Sequence, residues 1–145
     1  MVAIEAARDG LPLALQLLIY PVTDAERETA SAASFQTGFY LTTAFMDLAH
    51  DSYIADSDPR DPRISPAYAD LPAGLAPAYV VTAGFDPLRD EGEAYAALLE
   101  KAGAQVELRR FGDQIHGFFN MVGAGRSARA ANAEIASALR RGLTT

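Results

Sequence analysis

From the N-terminus, apolar and polar positions alternate at helical spacing. Val2, Ile4 and the alanines oppose Glu5 and Arg8 up to Gly10, a glycine that stops a helix. The stretch reads as the tail of a helix that begins before the chain does. Leu13 to Val22 follows as a nearly unbroken apolar run bounded by prolines, the pattern of a strand buried on both faces of a parallel sheet. As a central strand it should have a neighbour on each side, since left as an edge it would invite aggregation. Residues 24–39 are small and polar and read as irregular. Leu41 to Ile54 turns helical, with Leu41, Ala44, Phe45, Leu48 and Ala49 on one face, arranged to cover a sheet or a pocket, and His50 beside it.

Residues 56–66 hold three prolines among alternating charges and read as a loop. A second apolar strand runs from Pro77 to Phe85. The helix from Asp90 to Ala102 carries acids in its first turn, points Tyr95, Leu98, Leu99 and Ala102 inward and is followed by Gly103. Gln105 to Phe111 alternates Val106, Leu108 and Arg110 against Glu107 and Arg109, so it predicts a strand near the sheet edge. Arg126 to Leu143 closes the chain as an Ala-rich helix with Ile135 and Leu139 inward. Alternation of strand and helix predicts an open parallel α/β sheet in a single domain, 1–145, with an excursion at about 24–76 and no internal repeat.

Composition narrows the function. Half of the 145 residues are apolar and 21% are charged, which is globular and not disordered. A net charge of −7 disfavours nucleic acid and anionic lipid as partners. Without cysteine there is no disulfide, Cys-ligated metal or thiol nucleophile. No apolar run reaches the roughly 18 residues of a membrane span, and no secretory start is visible, so cytoplasm is the default compartment.

Two residues draw attention as chemistry. His116 sits beside a glycine just past the third strand, and Asp86 just past the second, one strand-helix-strand unit earlier. Parallel neighbours would bring both to one sheet edge, where the acid could accept the imidazole Nδ1–H and leave Nε2 facing a hydroxyl or a water. The structural alternative stays open: aspartate before proline is a common turn or cap, and a lone histidine is often a satisfied polar residue. A nucleophile is missing. No Gly-x-Ser-x-Gly turn occurs; Ser127 reads as a helix-start residue and Ser65 as a loop hydroxyl bonding local backbone. His50 reads as structural or exposed, and no His or carboxylate cluster has metal spacing. A flavodoxin-like or receiver-like domain is disfavoured by the lack of a phosphate-binding glycine loop and of acids clustered after the first strand.

The segments Leu17-Leu18-Ile19-Tyr20-Pro21, Ser65-Pro66, Thr82 to Gly92, Gly103-Ala104 and His116-Gly117-Phe118 carry a resemblance. Over nearly its whole length the chain resembles the C-terminal half of hormone-sensitive-lipase-like carboxylesterases of the α/β-hydrolase family. The resemblance implies a partial α/β-hydrolase fold, its last three parallel strands with flanking helices, incomplete without an N-terminal half. It implies ester hydrolysis by Ser-His-Asp acyl transfer, with Asp86 as triad acid and His116 as general base and acid. The serine and the oxyanion loop would lie on upstream residues, so the isolated chain should be inactive. No cofactor is implied. Expected partners are a small acyl ester, the N-terminal half and a second copy through 105–111, with Phe118, Phe119, Tyr40 and Phe45 as candidate substrate-lining aromatics. One departure is visible: Asp113 stands where the family usually has a glycine three residues before the histidine, and Gly112 sits one earlier. The alternative is an inactive α/β module that acts only in oligomerisation.

Overall fold

The computed structural model describes residues 1–123 and 125–144. Helix α1 (Val2–Arg8) leads to β1 (Gln16–Ile19), and the excursion holds two helices, α2 (Ala30–Ser34) and α3 (Thr43–Tyr53). After it come β2 (Ala78–Phe85), α4 (Arg89–Lys101), β3 (Val106–Ile115) and α5 (Arg126–Leu143), with short 3-10 turns at Pro66–Tyr68 and Phe118–Asn120. The strands form one parallel sheet in the order β1-β2-β3.

Alternation along β2 builds both cores. Tyr79, Val81 and Ala83 point to one face and pack with Ala131, Ile135 and Ala138 of α5. Ala78 and Val80 point to the other and pack with Ile4 of α1 and Tyr95, Ala96 and Leu99 of α4. Helix α4 ends as its sequence dictates. Gly103 takes φ +92, its N–H donates to Glu100 O, and Ala104 N–H reaches back to Leu99 O, a paired C-terminal closure that satisfies the last carbonyls. No helix among the described residues is long and apolar enough to cross a membrane.

Three expectations change. First, β1 is only four residues long, shorter than the apolar run predicts, and among the described residues it pairs with β2 alone, leaving its other edge uncovered. The extended run stops at Tyr20, whose φ of +39 turns the chain before Pro21. Second, the face of α3 expected to cover a sheet or pocket is largely open: Phe45 is 62% exposed and Leu48 64%, and no residue of this helix is buried. Only Ala49 of that face borders a cavity, beside Met46 and His50. Third, β3 runs on to Ile115. It is an edge, as its alternation predicts, with Leu108 44% exposed and Arg110 exposed, not inward. Arg110 pairs with Glu93 on α4 and Arg109 with Glu134 on α5. Within the otherwise irregular 24–39, α2 is capped by the Thr29 hydroxyl, which accepts from Ala32 N.

Candidate active site

The C-terminal ends of the three strands meet. Asp86 follows β2 directly and is 1% exposed. Its Oδ1 accepts the Leu88 N–H at 2.9 Å, the local turn expected of aspartate before proline. Its Oδ2 lies 2.9 Å from His116 Nδ1. One oxygen of this aspartate thus serves the turn and the other meets the imidazole. With Nδ1 as the donor, His116 keeps Nε2 free to accept a proton, and its side chain is 19% exposed.

A bulge aims the histidine. Pairing runs in register to Ala83↔Phe111 and resumes at Phe85↔Ile115, so one residue of β2 faces three of β3. Gly84 is the opposed residue, and a Cβ there would lie 2.2 Å from the Gly112 carbonyl oxygen. The displaced glycine noticed in the sequence thus belongs to this bulge. Its last residue, Gln114, is 6% exposed and donates from Nε2 to Ser127 Oγ at 2.9 Å, tying β3 to the first turn of α5. A hydrogen bond from the Gln114 side chain holds the Asp113 carboxyl below the usual range. Ser127 is a helix-start residue, as read, and Ser65 is buried, donating to Pro59 O and accepting from Ala25 N.

Two further side chains frame His116. Tyr20, just past β1, sets its ring 4.4 Å from the imidazole, centroid to centroid, tilted by 52°. Sequence reading missed it, although its place at a strand end beside those of Asp86 and His116 was the available signal. Burial, with Asp86 and then Tyr40 adding to it, raises the Tyr20 phenol. Tyr40, 67% exposed and at φ +72, lies against the Gly117 backbone, where an added Cβ would come within 2.9 Å of its ring. Its neighbour Phe39 stacks on Phe85 at 5.4 Å, Phe35 meets both edge-on, and Arg89 sits 5.3 Å over Phe35. This aromatic group clasps the excursion to the strand end that carries Asp86.

The other candidates lie apart. Phe118 is 1% exposed and belongs to the core, edge-on to Tyr20 and Phe111. Phe119 is 38% exposed, its carbonyl accepting from Asn132 Nδ2, and Phe45 lies on the open face of α3. His50 borders a cavity of about 290 Å³ with Val22, Arg27, Met46, Ile54 and Leu88; neither Asp86 nor His116 lines it.

Glu91, expected as a first-turn acid, is unexpectedly buried. It is 3% exposed in the first turn of α4, and its Oε1 accepts from Thr23 N at 2.7 Å and Asp24 N at 3.1 Å, fixing the chain as it leaves β1. Its Oε2 has no protein partner, and burial pushes the carboxyl up to about 7. Among the described residues no three His, Asp or Glu side chains gather as a metal would require.

Comparison with known proteins gives a consistent picture. A family model described as the alpha/beta hydrolase fold matches residues 1–120. The carboxylic ester hydrolase LipN of Mycobacterium tuberculosis is 47% identical over 143 residues, which cover 97% of this chain and 38% of that protein. An ethyl acetate hydrolase of Pseudomonas putida is 35% identical over 119 residues, covering 81% of this chain and 37% of the relative. Among solved structures, an α/β hydrolase from the metagenome of Lake Arreo, Spain, superposes with a TM-score of 0.90 at 42% identity, over 99% of this chain and 46% of that one. A thermostable esterase from Pseudomonas putida superposes at 0.86 with 40% identity, over 92% and 44%. The chain spans less than half the length of these relatives.

Proposed function

The chain belongs to the α/β-hydrolase fold family, in its hormone-sensitive-lipase-like branch, and from that premise we propose that it supplies the acid and base of a carboxylic ester hydrolase. His116 Nε2 takes the proton of a serine hydroxyl as that oxygen attacks the acyl carbon, then returns it to the leaving alcohol. Asp86 accepts the Nδ1–H, fixes the tautomer and stabilises the imidazolium. Water then repeats the sequence to release the acid. The serine and the oxyanion donors come from a segment outside these 145 residues, the N-terminal half of the same enzyme, which would also lie along the open edge of β1. A small acyl ester is the substrate; of the four aromatics read from the sequence, Tyr40 keeps a lining role at the His116 loop. The observation that carries the reading is the 2.9 Å contact between His116 Nδ1 and a buried Asp86 at adjacent strand ends.

A fluorophosphonate probe tests it. The chain alone should stay unlabelled, whereas its complex with the N-terminal half should be labelled on that half's serine and lose labelling when His116→Ala is introduced. No labelling of the complex sinks the proposal. Removing the nucleophile of such a triad costs on the order of 10⁶ in turnover, which is why the isolated chain should show no measurable hydrolysis. The exposed edges of β1 and β3 support a second reading, an inactive module that acts in oligomerisation, with β3 at 105–111 as the homodimer edge. That reading predicts a stable oligomer by sedimentation and no labelling in any complex.

A further inference from the structure

We propose that Tyr20 is a positioning residue for His116, its ring confining the imidazole to the rotamer in which Nδ1 donates to Asp86 and Nε2 faces the open side of the site. The inference rests on the proton-relay reading above and goes beyond it by assigning a third strand end to the site. Each strand then contributes one group: β1 places Tyr20, β2 Asp86 and β3 His116.

The contact is built and not incidental. Tyr20 holds φ +39, a region that strains a bulky aromatic and that the following proline does nothing to relieve. Its backbone is fixed there because Tyr20 N donates to Val81 O at 2.7 Å, one step beyond the last sheet pair, Ile19↔Val81. The ring is held from beneath. Phe118 meets it edge-on at 5.7 Å, and Phe111 meets Phe118 at 5.5 Å, so a chain of rings runs from the core between sheet and α5 up to the imidazole. Asp86 constrains only one nitrogen of the imidazole, about which the ring can still rock; a surface 4.4 Å away removes that freedom.

The 145-residue chain itself suffices for the test, because His116 and His50 are its only imidazoles and His50→Asn assigns them. Histidine ¹⁵N spectra report the tautomer, and a low-field proton resonance reports Nδ1–H on Asp86. The unaltered chain and Tyr20→Phe should both show His116 protonated on Nδ1 with that resonance present. Tyr20→Leu, folded by circular dichroism, should show mixed tautomers and loss of the resonance, or its exchange with water roughly tenfold faster or more. Should Tyr20→Leu not fold, Tyr20→Met is read in the same way. A folded Leu or Met variant with unchanged tautomer and exchange overturns the assignment, as does loss of the signal in Tyr20→Phe. Absence of the resonance in the unaltered chain, folded by circular dichroism, overturns the Asp86–His116 pairing beneath both proposals. Failure of probe labelling with the spectra as expected overturns the esterase reading alone.

Discussion

Glu91 shows what one buried carboxyl does to the whole chain. In an unfolded chain a glutamate ionises near 4.5, whereas burial keeps this one protonated to about 7. Between those values the folded state holds a proton that the unfolded state releases. The stability this adds is complete below about 4.5 and is lost as pH rises to about 7, a change on the order of 3 kcal/mol. Asp24 and Asp86 are the like charges that add to the effect. Glu91→Gln keeps an acceptor for Thr23 and Asp24 and should flatten this slope; urea unfolding at pH 5 and pH 8 measures it, and an unchanged slope would refute the assignment. Gly84 makes a steric prediction. Because a Cβ would sit 2.2 Å from the Gly112 carbonyl oxygen, Gly84→Ala must spread the bulge and should cost roughly 3 kcal/mol. A thermal melt reads the loss, and the low-field His116 resonance should vanish with it.

At the scale of elements, two helices with apolar stripes behave oppositely. The stripe of α5 is spent on the sheet, with Ile135 1% exposed against Tyr79 and Val81, so Ile135→Ala should cost roughly 2–5 kcal/mol. The stripe of α3 faces outward, and Leu48→Ala should change stability by no more than about 0.5 kcal/mol. Chemical denaturation of both variants tests the contrast; a large loss at Leu48 would mean that this helix packs elsewhere. Periodicity identified both helices, yet a moment reports only that a stripe exists and not what lies under it. The same holds for β1, where a ten-residue run, apolar but for Gln16, predicted a long central strand. Pairing partners decide how much of such a run is extended, and here only Gln16–Ile19 finds them.

For the molecule as a whole, the sheet has two unlike edges. Arginines from β3 reach to α4 and α5 and leave that edge charged. The β1 edge carries Leu17, Leu18 and Ile19, only half-buried against the cores beside them. A companion that extends the sheet past β1 should therefore raise the unfolding midpoint of this chain and reduce its binding of a hydrophobic dye. Calorimetry and dye fluorescence on the separate and mixed halves check both outcomes, and no change in either on mixing would count against the companion. A change at exposed Leu108, on the opposite edge, should leave the effect of mixing on both measurements unaltered.

The sequence by itself determined four of the helices, the parallel α/β alternation and the placing of Asp86 and His116 just past strand ends, because each is written in local pattern: spacing on one face, glycine after a helix, a motif at a strand end. Tertiary structure alone decided that the pair meets at 2.9 Å, since that distance depends on β2 and β3 lying side by side and on a bulge that Gly84 permits. It also decided that Phe118 is core while Tyr20 faces His116, and that Glu91 is buried at the start of α4. These are contacts between residues far apart in the chain, and period and composition carry no record of which distant neighbour a side chain meets.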